Sequence, residues 1–213
     1  MKRYYFLVTS ILLLLLSTVA FSDNLITDVG QKSNSDPKYI IHGLFCFAWF
    51  FILVIQTNFI RKADYKTHIK FGIAGLSAAV GVFLTTLYIF VVIYKGWDNM
   101  SYLVKANRFF MLGFAILVTL GYINRSQSSR HKRFMYIATL YMLGPILDRA
   151  MGRLSFDSII SNPDAWDATF HGIWTLFFIS LFIYDQAILK KIHPVTYLGF
   201  AGYCIIWILS IIA

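Results

Sequence analysis

The residues best suited to chemistry in this chain are its five histidines, and two of them share an arrangement. His42 sits in YIIHGLFCFAWF and His171 in TFHGIWTLFF, each followed by glycine at the mouth of a long apolar run. An imidazole at such a boundary can ligate a metal or a haem iron, relay a proton, or serve as a polar interfacial group. His42, Trp49 and Gln56 recur every seven residues, which sets them on one face of a helix. His171, Trp174, Phe178 and Asp185 fall in a second such stripe. Asn107 and Arg108 open another apolar run, and Asp148, Arg149 and Arg153 close one in LGPILDRAMGR.

Together these groups admit several chemistries. One is a haem b held by His42 and His171, with Trp49 and Trp174 flanking the macrocycle and Arg108, Arg149 or Arg153 facing the propionates. An inner pair, His68 and His131, would then allow a second haem and electron transfer across the membrane. Another is a hydrolytic zinc held by His42, His171 and Asp148, with a position left open for water. A third needs no cofactor: ion pairs and hydrogen bonds lock the helix ends of a structural or accessory subunit. A transport pathway is the fourth, supported by Gln56 and Asp185 inside apolar runs. An isolated charge at Asp148 would cost about 2.5–3.5 kcal/mol on insertion scales, so a partner is expected there. Pro145 should kink the same helix.

The elements that must position these residues are transmembrane helices. The chain has 213 residues, 58% of them hydrophobic and only 14% charged, with a mean hydropathy of +0.66. Soluble domains carry about 25% charged residues to cover their surface. Apolar runs fall at about 5–22, 38–60, 69–94, 104–123, 134–151, 168–188 and 194–213. Each is near the roughly 20 residues a helix needs to cross a bilayer, and solid runs of this kind are not the alternating segments of a barrel. The fold class is therefore all-α, an integral membrane bundle of seven helices. Residues 1–22 read either as the first of these or as a cleaved signal peptide, which would leave six; 23–37 form an extracytoplasmic linker and 38–213 the six-helix bundle.

Charge orients the bundle. Arg61, Lys62, Lys66 and Lys70 follow the second run, Arg125, Arg130, Lys132 and Arg133 the fourth, Lys190 and Lys191 the sixth. The positive-inside rule places these loops, and Met1-Lys2-Arg3, in the cytoplasm and Ala213 outside. The net charge of +9 lies in these loops and not along a basic stripe, so nucleic acid is excluded as a partner; the bilayer, a second copy or other membrane subunits remain. Cys46 and Cys204 lie inside apolar runs, which excludes a disulfide framework.

Three hairpins share a layout: His42 to Arg61 and His171 to Lys190 are both separations of 19 residues, and His68, His131 and His193 each re-enter after a basic turn. Either an internal repeat or the general likeness of apolar sequences produces this pattern. The re-entry histidines read as polar interfacial residues.

Two stretches carry a resemblance. RHKRFMYIATLYMLGPILDR resembles a segment of poorly characterised bacterial multi-spanning membrane proteins, through His131, Lys132, Arg133, Met135, Ala138, Thr139 and Arg149. HGLFCFAWFFILVIQTNFIRKADYKTHIKFG is similar to the upstream hairpin of the same group, through His42, Trp49, Gln56 and His68. The resemblance implies a bacterial inner-membrane bundle and brings no activity; a fainter likeness to small haem-carrying membrane bundles favours haem by analogy. Seven-helix membrane hydrolases of the alkaline ceramidase and progestin-receptor-like group use three histidines and an aspartate. Their closely spaced histidine pair on the last helix is missing here, where that run holds only His193, at its other end. No retinal-bearing lysine, nucleophile elbow, P-loop or H-E-x-x-H motif is present.

Overall fold

The structure, a computed structural model, describes residues 4–27 and 30–212. Met1, Lys2 and Arg3, the basic start used by the positive-inside reading, lie outside the described residues, as do Asp28 and Val29 of the linker and Ala213. The helices are α1 (Tyr5–Ala20), α2 (Ser22–Leu25), α3 (Pro37–Arg61), α4 (Tyr65–Val92), α5 (Tyr102–Ile123), α6 (Ser128–Tyr141), α7 (Leu143–Arg153), α8 (Pro163–Leu189) and α9 (Pro194–Ile212), with no strand among the described residues. Five of them, α3, α4, α5, α8 and α9, are long and apolar enough to cross a membrane; α1 is apolar but shorter. Their outward faces are apolar: Val91 is 74% exposed and Ile73 71%, an arrangement that water penalises and lipid does not. These helices fit an integral membrane protein.

The fifth apolar run is not one continuous helix. It breaks at Met142 into α6 and α7. Pro145 has no N–H to give the carbonyl of Tyr141, four residues back, and its ring crowds that carbonyl. The last turn of α6 tightens instead, with the Met142 N–H donating to the Thr139 carbonyl at 3.1 Å.

The chain forms two compact units, Met1–Ile93 and Tyr94–Ala213. In the first, Asp36 caps α3, its carboxylate accepting from the Lys38 N–H at 3.1 Å, and Pro37 fits the first turn because it has no amide hydrogen to leave unpaired. Asp64 caps α4 in the same way through Thr67 N–H. The α3–α4 hairpin closes around Gly81, where a Cβ would run into the Phe45 ring. Ser10 on α1 meets Thr57 on α3 at 2.9 Å, and Ser10, Leu13 and Ser17 are buried.

In the second unit, Ser101 caps α5 and Asn162 caps α8, ahead of Pro163. An aromatic column forms the core. Phe110 stands 4.9 Å from Trp174, 5.1 Å from Tyr141 and 5.4 Å from Trp207 between ring centroids, mostly in the tilted and edge-to-face geometries that ring quadrupoles favour. The Tyr141 hydroxyl donates to the Gly199 carbonyl at 2.8 Å and joins α6 to α9.

Candidate functional site

His171 lies where α5 and α8 begin. It is half-buried, its ring edge-on to Trp207 with centroids 4.5 Å apart and against Phe170 at 5.2 Å. Neither ring nitrogen takes part in a hydrogen bond among the described residues. One turn further along α8, Trp174 is 1% exposed and its indole Nε1 has no acceptor. One turn earlier, Asp167 accepts a hydrogen bond from the Tyr102 hydroxyl, and the Tyr102 ring meets Trp207 at 6.0 Å. This end of the unit thus combines an imidazole with both nitrogens unclaimed, a phenol–carboxylate pair and a buried indole donor. Such a set can ligate an iron or bind a polar group in a partly dry setting.

The other sequence-predicted residues are distributed differently. His42 belongs to the first unit, where its Nδ1 meets Thr85 Oγ1 at 3.0 Å and Cys46 Sγ lies 3.5 Å from its Nε2. Thr85 gives its one hydroxyl proton to the Gly81 carbonyl at 2.6 Å. The hydroxyl therefore accepts from His42 Nδ1–H, and Nε2 carries the lone pair. Trp49 is 5% exposed in the same unit. In the second unit, Arg108 reaches Met100 Sδ at 3.2 Å and lies over the Tyr94 ring, and Arg149 is half-buried. Asp148 is exposed and makes no hydrogen bond or ion pair among the described residues. The partner expected for it is absent because the carboxylate never leaves the surface. No three His, Cys, Asp or Glu side chains converge as a metal site among the described residues.

The buried charge is instead Asp185, the last member of the His171 stripe. Arg133 donates to it through Nε at 2.9 Å and through Nη2, and both side chains are wholly buried. The remaining donors are placed too. Arg133 Nη1 reaches the Ser129 carbonyl at 2.7 Å and its hydroxyl at 2.8 Å, while Asp185 Oδ2 accepts from Thr196 Oγ1 at 2.6 Å and His193 N–H at 3.0 Å. Beside the pair, Lys132 Nζ donates to the Tyr184 hydroxyl at 3.0 Å. A buried ion pair survives only when its lone pairs and protons are satisfied this fully.

Sequence reasoning counts Arg133 as a loop cation and leaves Asp185 unpaired. The signal that could have joined them is the acid itself, since a carboxylate inside an apolar run requires a counter-charge. Two of the re-entry histidines act in the same region. His131 Nδ1 meets the Gly121 carbonyl at 2.8 Å, and His193 Nδ1 accepts from the Val195 N–H at 3.1 Å as a cap for α9. Burial, followed by the nearby Arg133 guanidinium, holds the His193 imidazole below its ordinary pKa.

Comparison of the chain with protein-family models, with curated proteins and with solved structures finds no match in any of the three.

Proposed function

We propose that the protein is a cofactor-binding subunit of a membrane, with His171 as its ligand-bearing residue and haem b as the group. The observation that carries this reading is the half-buried imidazole with two unclaimed nitrogens, one turn from the unpartnered Nε1 of Trp174. Imidazole is a standard axial ligand, and an aromatic surround keeps water from the iron. Bound there, haem would supply one-electron transfer. His42 supports the reading less, because the nitrogen that keeps its lone pair, Nε2, lies against Cys46 Sγ at 3.5 Å.

The finer topology belongs to the same proposal. Seven spans arise if α1 is retained and α6 with α7 crosses as one broken element; the burial of Ser10, Leu13 and Ser17 beside α3 supports retention. The basic turns then face the cytoplasm, and the two resembling stretches support a bacterial inner membrane. The test is an absorption spectrum of protein purified after haem-sufficient expression. A Soret band in the wild type that is lost in His171→Ala supports the proposal, and a colourless wild type refutes it.

A second reading, an accessory subunit without a centre, is favoured by the self-contained Arg133–Asp185 network, which leaves neither charge available to a substrate. A colourless protein whose stability depends on that pair is the result this reading expects.

A further inference from the structure

The ion-pair network holds a second feature in place: a set of exposed cations at the opposite end of the second unit from His171. Arg133 and Lys132, near the start of α6, bind Asp185 and Tyr184 near the end of α8. His131 ties the same start of α6 to the last turn of α5 through Gly121. The α5–α6 turn and the α8–α9 turn are thereby brought to one end. Arg125, Arg130, Lys190 and Lys191 are all exposed there. Neither residues 124–133 nor residues 186–197 contain an acid, and Asp185 between them is buried and consumed by Arg133.

On α6 this charge does not serve the helix, whereas Lys190, the C-cap of α8, and Lys191 beside it sit at a helix C-terminus that favours cations. Arg130, His131 and Lys132 lie in the first two turns of α6, where the helix dipole disfavours cations, and α6 has no side-chain cap. Nor is it a general property of the chain's turns: the α3–α4 turn mixes Arg61, Lys62 and Lys66 with Asp64. An uncompensated cluster of exposed cations at the ends of apolar helices lies at headgroup depth. Its complement is a phosphate-bearing anion that is present at that depth.

We propose that this end of the second unit is a binding surface for anionic phospholipid headgroups, with Arg130, Lys190 and Lys191 as the principal contacts. The inference requires the bilayer and not His171, so a colourless protein leaves it standing. The probe is thermal melting of the full chain in phosphatidylcholine vesicles with and without phosphatidylglycerol, together with native mass spectrometry of retained lipid. The expected result is a higher melting temperature and preferential retention of phosphatidylglycerol, both diminished by high salt. Arg130→Gln/Lys190→Gln/Lys191→Gln should lower the preference by roughly 100-fold, at about fivefold per cation. These three side chains are exposed, so the variant should fold, and an unchanged melting temperature in pure phosphatidylcholine checks that it does. Equal behaviour in the two lipids, or a preference that survives the triple variant, overturns the inference. So does an equal stabilisation by inorganic phosphate in pure phosphatidylcholine, which would make the ligand a free anion.

Discussion

At the scale of the residue, Asp185 shows how a charge is kept inside an apolar bundle: Arg133, Thr196 and the His193 amide all donate to it. Removing one partner leaves the other charged and buried. Arg133→Met is therefore expected to destabilise the protein by about 3–5 kcal/mol, while Arg133→Met/Asp185→Leu should lie closer to wild type than either single variant. Unfolding in mixed micelles measures both, and additive losses would refute the coupling. His193 gives a pH dependence. Its folded pKa lies below the unfolded one, so the unfolded chain binds more protons, and the stabilisation is complete above the unfolded value of about 6.5 and lost as pH falls below it. Protonating Nδ1 would also remove the acceptor used by Val195 N–H. Melting temperature should fall between about pH 7 and pH 5, and His193→Ala should flatten that fall. The stripe from His171 to Asp185 was legible from spacing alone. Its partner was not, because α6 begins at Ser128, several residues before hydropathy turns apolar, and carries Arg133 into the interior.

At the scale of the element, apolar length was enough to find α3, α4, α5, α8 and α9, since a solid apolar run satisfies its backbone in lipid only as a helix, a barrel strand being short and alternating. The kink at Pro145 was legible as well. What hydropathy cannot report is whether hydrogen bonding continues through such a point, and it stops at Met142. Helix contacts are set by small residues, which hydropathy scores without regard to fit. Gly199 is the test: a Cβ there would stand 2.7 Å from Ile137 Cδ1. Gly199→Val should cost about 1–3 kcal/mol by overpacking, with partial recovery in Gly199→Val/Ile137→Ala. A tolerated Gly199→Val, judged by melting temperature in detergent, would show that α6 and α9 are not held this closely.

At the scale of the molecule, composition states the solvent plainly and the activity hardly at all. An apolar outer surface follows from residence in a bilayer whatever the protein does. The protein should accordingly stay with membranes through alkaline and high-salt washes and come off only with detergent, as immunoblotting of the fractions would show. Activity rests on very little by comparison. Five histidines invite five interpretations, and only the three-dimensional surroundings separate His131 and His193, engaged with backbone groups, from His171, engaged with none. His171 was named from its place beside glycine at the mouth of an apolar run; its freedom from hydrogen bonds could not be read there, because it depends on which groups α9 and α5 bring to it. The most direct test is a haem titration of the purified protein, followed by difference absorption spectroscopy. Saturable one-to-one growth of a Soret band that His171→Ala abolishes and Trp174→Phe weakens is the predicted result. Unsaturable partitioning, identical in wild type and His171→Ala, would contradict it.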